Sequence, residues 1–232
     1  MSMQFGVTSQ LFRGHAVPDT IPDDSIAQWN LDEGNGSTAG DSQGSNDWSL
    51  NGPTWTSGSQ YYSGETLDFG GDDYATLSEI SSVSVNSEFT VSFWVTLDDV
   101  SSTSTLFSHH ISGSNRVTIG VSNSTSGAIE TALYDGSTFL FDDYFPSDSY
   151  NTGERIMVTL TWDGSSSGSF YLNTTAATNS GSNASTTGNY SGYVIGSTDT
   201  GQEFLNGSVD FAIAYDWKLS DTEVSDLYDE TV

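Results

Sequence analysis

At 232 residues with no Cys, the chain is long enough for one domain of sandwich size, and it has neither a disulfide framework nor a thiolate metal site. Its 31 acidic residues face only Arg13, Arg116, Arg155 and Lys218, a formal net charge of −27 that excludes the clustered Lys and Arg of a nucleic-acid binder. No apolar run reaches the ~20 residues of a membrane span, so no membrane insertion is expected.

Residues 1–25 lack the alternation found further on. Phe5, Val7, Leu11 and Phe12 are scattered among polar residues, with Pro18 and Pro22 behind them. This stretch reads as an arm outside the main domain, either a loose leader or an attachment segment that docks on a partner or pairs copies of the chain. It has no basic n-region or continuous apolar h-region, so no secretory signal is expected.

From 26 to 232, short strands alternate with Gly, Ser, Asn and Asp turns, which predicts an all-β fold of two antiparallel sheets. In Phe89 to Leu97, the residues Phe89, Val91, Phe93, Val95 and Leu97 share one face and Thr90, Ser92, Trp94 and Thr96 the other. Ile156, Val158, Leu160 and Trp162 repeat the pattern. So do Val209, Phe211, Ile213, Tyr215 and Trp217, which places Asp210 and Asp216 on the opposite face. Three strands with one apolar face each require a second sheet to cover them. Ser220 to Glu223 has capping-box spacing ahead of Val224, Leu227 and Tyr228, which predicts one short C-terminal helix on the sandwich edge.

No paired-carboxylate array of the glycosidase kind is visible, because the nine glutamates from Glu33 to Glu230 stand singly in the sequence. Gly164 to Gly168 matches the nucleophile-elbow string but lies between two β runs, where that motif needs a strand-to-helix turn. The expectation is therefore not an enzyme. His109 and His110 lack an evident Asp or Ser partner and read as surface-loop residues, with metal or ligand contact as the alternatives.

Sugar sites combine aromatic platforms with a few polar groups. The segment Tyr134 to Pro146 is the densest aromatic and acidic stretch, and Tyr61, Tyr62 and Trp55 form a second cluster. Tyr62 and Tyr144 are the expected exposed members, while Phe139 and Phe141 share a face and read as core or interface. Loops rich in Asp and Asn can supply the oxygens that Ca²⁺ takes, and Asp41, Asn46, Asp72 and Asp210 are the best-placed candidates, with turn capping as the competing role.

The segments Trp29 to Gly36, Asp41 to Asp47, Leu50 to Trp55, Leu67 to Tyr74, Phe89 to Val95, Thr161 to Gly164, Tyr171 to Asn173 and Leu205 to Ser220 follow one another in an order that resembles laminin-G-like, concanavalin A-like jelly rolls of the bacterial and archaeal type. The resemblance spans about 26 to 229. It implies a two-sheet antiparallel jelly-roll sandwich, and a structural Ca²⁺ as in many such sandwiches.

Like charges at this density repel at ordinary ionic strength, whereas at 1 M salt the Debye length falls to about 3 Å and the repulsion is largely screened. The expected setting is therefore halophilic, outside the cell or on a virion surface. The expected role is a recognition or adhesion module of a halophilic archaeal virus, a fibre, spike or decoration protein that binds host surface glycan or glycoprotein. A virion partner or a homo-oligomer would form through residues 1–25. A purely structural capsid or surface-layer component is the alternative, and a carbohydrate-binding module of a secreted glycosidase system the second.

Overall fold

The computed structural model describes residues 24–57, 64–77, 80, 82–110, 115–122, 127–136, 138–180, 192–198 and 202–231. Most of the 1–25 arm and all of Tyr62 lie outside them. Among the described residues no helix is long and apolar enough to cross a membrane.

Two sheets form the sandwich, and their pairings are antiparallel. Counted over the described residues, sheet I has eight strands and sheet II nine. Thr175–Ala176, Gly168–Leu172, Arg155–Asp163, Glu88–Leu97, Asn206–Tyr215, Glu65–Gly70 and Thr54–Ser57 lie in that order, with Ala27–Trp29 also paired to Asn206–Tyr215. The strands of sheet II are Asn179–Ser180, Phe139–Phe145, Ala128–Asp135, Asn115–Ser122, Ser104–His110, Gly192–Ile195, Tyr74–Leu77, Trp48–Asn51 and Thr38–Ala39.

The alternation at Phe89 to Leu97 works as read: Phe89, Val91, Phe93, Val95 and Leu97 enter the core between the sheets, joined there by Ile156, Val158, Leu160 and Trp162. Phe93 packs against Phe107 of sheet II with ring centroids 5.4 Å apart, which is direct contact across the sandwich. The Trp162 indole N–H donates to the Val85 carbonyl at 2.9 Å, so its one polar atom is satisfied in the interior.

The strand Asn206–Tyr215 departs from its expected facing. A bulge falls between Val209 and Phe211, so Val209 points inward while Phe211, Ile213 and Tyr215 turn to the outer side of sheet I, leaving Ala212 and Ala214 in the core. An apolar outer face needs cover, and the C-terminal helix Asp221–Thr231 supplies it with Val224 and Leu227. The helix thus lies on the face of the sheet and not on its edge. Its capping box is formed: Ser220 N donates to Glu223 Oε2 at 2.7 Å and Glu223 N to Ser220 Oγ at 3.3 Å. The Trp94 indole N–H reaches Thr231 Oγ1 at 2.8 Å and ties the last turn down.

Gly164 to Gly168 is a hairpin loop between Arg155–Asp163 and Gly168–Leu172. Asp163 Oδ1 accepts the backbone N–H groups of Ser165, Ser166 and Ser167, and these bonds hold its carboxyl well below the usual carboxylate range. Serine there is turn chemistry, with no strand-to-helix geometry behind it.

Candidate functional site

The outer face of sheet II is where aromatic, acidic and basic side chains meet. Alternation sends Ile129 and Leu133 of Ala128–Asp135 into the core and leaves Glu130, Ala132 and Tyr134 on the other side. Register then builds rows across the face. In one row Tyr144 stands opposite Glu130, Glu130 opposite Gly120, and Gly120 opposite Thr105. The next contains Asp142, Ala132, Thr118 and Ser108. The third contains Phe139, Tyr134 and Arg116, with His110 at the following register position.

The first row carries the electrostatics. Glu203, from the connection into Asn206–Tyr215, is anchored over Thr105: the Thr105 N–H donates to the Glu203 carbonyl at 2.7 Å and Thr105 Oγ1 approaches Glu203 Oε2 at 3.5 Å. Glu203 holds a left-handed φ of 52°, which a side-chain-bearing residue adopts only where its surroundings fix it. Glu130 is 7% exposed and hydrogen-bonded by Ser122, and Glu203 and Asp142 add like charge. Burial first, and those two carboxylates next, push its carboxyl up to about 7 against the pull of the Ser122 hydrogen bond. Among the described residues its Oε2 is buried with no hydrogen-bond partner.

Gly120, between Glu130 and Thr105 in this row, is a place of close backbone approach. A bulge in Ser104–His110 pushes the Ser104 backbone toward it, so a Cβ would run into the Ser104 carbonyl oxygen and Thr105 Cα. Gly120→Ala is expected to cost about 1 to 3 kcal/mol in thermal melts; a melting temperature equal to the parent's would show that the backbone yields freely.

The third row carries the aromatic surface. Phe139 is 44% exposed, the one large hydrophobic side chain so exposed among the described residues, and packs on Tyr134 with centroids 5.2 Å apart. The Arg116 guanidinium lies over the other part of this stack, 4.7 Å from the Tyr134 centroid.

Residues 69–225 match the Laminin_G_3 family, described as the concanavalin A-like lectin/glucanases superfamily. The chain belongs to that superfamily. Among curated proteins no match is found. Several solved structures share the fold of this superfamily member. The binding domain of botulinum neurotoxin serotype D superposes with a TM-score of 0.66 at 16% identity, over 90% of this chain and 52% of that one. Trypanosoma rangeli sialidase, solved with sialic acid, gives 0.64 at 18% identity over 93% of this chain and 34% of that one. The chain thus spans only part of both. Domain 4 of AbnA, an extracellular GH43 arabinanase from Geobacillus stearothermophilus solved with arabinotriose, gives 0.65 at 18% identity over 88% and 98%.

The residues expected to bind ligand are distributed unevenly over this concanavalin A-like frame. Tyr144 is in the site, half-buried beside Glu130. Phe139 takes the exposed position instead, because a bulge at Leu140 breaks the alternation and separates it from the inward Phe141. His109 is a strand residue and not a loop residue: it is 3% exposed and stacks on Tyr193 of the neighbouring strand at 3.8 Å, facing the core. His110 follows it in the strand, and Tyr62 lies outside the described residues.

Of the calcium candidates, Asp41 and Asn46 share the first loop, while Asp72 and Asp210 lie in other parts of the fold. Asp41 Oδ1 accepts from Gln28 N and Gln43 N, and Oδ2 from Asn46 N and Asn46 Nδ2. Burial would raise its carboxyl, but these four bonds together hold it below the ordinary value. It is a turn organiser. Asp210 pairs with Arg155 on the helix-covered side of sheet I, and Asp72 sits in the exposed turn after Glu65–Gly70. Among the described residues no group of three or more His, Asp or Glu is arranged to hold a metal ion.

Glu130, Glu203, Arg116 and Phe139 were not among the expected site residues. The signal for Glu130 was available: a lone Glu inside an apolar strand is a residue type almost never buried without a partner or a task. Glu203 carried no such mark, since its place over Thr105 is set by a loop from elsewhere in the chain.

Proposed function

We propose that this chain is a glycan-binding recognition module whose binding surface is the outer face of sheet II. The observation that carries the reading is the exposed Phe139 on Tyr134, on the same face as the half-buried Tyr144, Arg116 and three carboxylates. Aromatic rings offer the apolar side of a sugar a platform while adjacent polar groups hold its hydroxyls. Support comes also from relatives of the same fold solved with sugars: the botulinum serotype D domain with N-acetylneuraminic acid and the arabinanase domain with arabinotriose.

The module is read as non-enzymatic. A second reading, glycoside hydrolysis, is favoured by the raised carboxyl of Glu130 facing Glu203, since a perturbed acid in such company is how hydrolytic sites are often marked. For the setting we propose a saline exterior, on the particle of a halophilic virus, with host surface glycan as the target. The net charge of −27 supports the salinity.

Glycan-array binding in low and molar salt tests the reading. Binding to a defined set of glycans is expected, with at least a tenfold loss in Phe139→Ala and the bound oligosaccharide recovered intact. Cleaved product would move the assignment to the hydrolase reading, and no binding in either salt would refute both.

A further inference from the structure

Three Asn–Gly pairs occur in the chain, and the fold treats them differently. Glycine has no side chain to shield its nitrogen, so a preceding Asn side chain can reach that nitrogen wherever the backbone is free to turn. Asn206–Gly207 has no such freedom, because Gly207 is buried and paired to Phe69 on one side and Leu97 on the other. Asn51–Gly52 is confined too. Asn51 is paired to Tyr74, its side-chain amide donates to the Ser49 carbonyl at 3.2 Å, and the Asp73 carboxylate lies against Gly52 where a Cβ would point. Asn35–Gly36 differs from both. Asn35, Gly36 and Ser37 are all exposed and belong to no strand. A Cβ on Gly36 would touch nothing within 4 Å, and among the described residues the Gly36 N–H donates to no acceptor. The Asn35 side chain is held by a long bond of 3.3 Å to the Glu33 carbonyl.

We propose that Asn35 is a site of spontaneous covalent modification, and that its conversion unfastens the flank of the sandwich to which its loop is tied. Asn is a thermolabile residue, and the reaction needs only water. The Gly36 nitrogen loses its proton and attacks the Asn35 side-chain carbonyl carbon. The new C–N bond closes a succinimide ring, and the side-chain nitrogen leaves as ammonia with that proton. Water then opens the ring. Attack at the side-chain carbonyl gives aspartate, while attack at the main-chain carbonyl gives isoaspartate, in which the backbone runs through the side chain and is lengthened by a carbon. Either product adds a negative charge to a chain already at −27. The loop joins the two sheets: the Gly36 carbonyl accepts the Trp55 indole N–H at 3.0 Å, and the Ser37 carbonyl accepts the Leu50 N–H at 2.9 Å. Trp55 is in Thr54–Ser57 at the edge of sheet I, and Leu50 in Trp48–Asn51 beside the edge strand of sheet II. A backbone carbon inserted just before both carbonyls displaces them, and hydrogen bonds weaken steeply with such changes of length and angle.

Peptide mapping by mass spectrometry of the full chain, aged at mildly alkaline and at mildly acidic pH, tests this, with the chain in denaturant as the reference. In denaturant the three pairs are expected to deamidate at similar rates. In the folded chain Asn35 is expected to react at least tenfold faster than Asn51 and Asn206, and faster at alkaline pH, since the attacking nitrogen must lose its proton. Hydrogen exchange reads the consequence: the Leu50 amide is expected to exchange at least tenfold faster in the isoaspartate form than in the fresh chain, while Asn35→Gln, aged alike, keeps the fresh rate. A folded Asn35 no faster than the other two, or a rate indifferent to pH, would overturn the modification. Leu50 exchange unchanged in the isoaspartate form, or raised as much in aged Asn35→Gln, would overturn the unfastening.

Discussion

Raising the pH from 4 to 8 at fixed salt is expected to lower the melting temperature of the parent chain, and Glu130→Gln is expected to remove much of that fall. Burial, with Glu203 and Asp142 nearby, raises the Glu130 carboxyl from 4.5 to about 7 in the folded state. Below pH 4.5 both states carry the proton and the group costs nothing. Between 4.5 and 7 the unfolded chain ionises first, so stability falls with pH, and above about 7 the loss is complete. The gap between the two pKa values corresponds to about 3 kcal/mol, or about 6 to 12 °C in a chain of this size. Asp143, on the strand Phe139–Phe145 next to the sheet's edge, is raised to about 6 by burial and by Asp142 and adds to the same slope. Asp41 works the other way, since its depressed carboxyl is stabilising above its unfolded value and loses that contribution as the pH falls. The measurement is the difference between parent and Glu130→Gln melting temperatures across pH. A difference that does not change with pH would show that Glu130 ionises as freely in the folded protein as in the unfolded one.

Asp210→Ala is expected to destabilise the protein by about 3 kcal/mol, through a residue far from the proposed binding face. Arg155 Nε donates to Asp210 Oδ2 at 2.6 Å, with side-chain exposures of 17% and 10%. The guanidinium also lies 3.7 Å from the Trp94 ring centroid, on the outer side of sheet I that the C-terminal helix covers. Removing the carboxylate leaves a charge that burial and the aromatic ring hold away from water. The paired change Arg155→Met with Asp210→Ala is expected to recover most of the loss, because no buried charge is then left unbalanced. Chemical denaturation of the two variants reads this out. A single variant within about 0.5 kcal/mol of the parent would place the pair among ordinary surface contacts.

How far the fold is legible in the sequence is shown by two strands. Phe89 to Leu97 alternates without interruption, and its apolar positions all reach the core, because a strand's period of two carries facing directly into sequence. Val209 to Tyr215 alternates just as cleanly and misleads, because one extra residue at Asp210 inverts the facing of everything after it. The same failure occurs at Leu140, which sends Phe139 outward and Phe141 inward. A bulge leaves no reliable mark in sequence, since it depends on the partner strand.

By itself the sequence determined the fold class, the order of its turns, the capped C-terminal helix and the excess of acidic charge, all of which follow from local periodicity and composition. Only the tertiary structure decided what lies on the outer face of sheet II. Glu130, Gly120, Thr105 and Tyr144 come from four strands that antiparallel register makes neighbours, and Glu203 comes from a distant connection that the Thr105 N–H holds in place. The physical reason is that a site built across strands depends on pairing between segments far apart in the chain, while sequence pattern reports only which way each residue faces along its own strand.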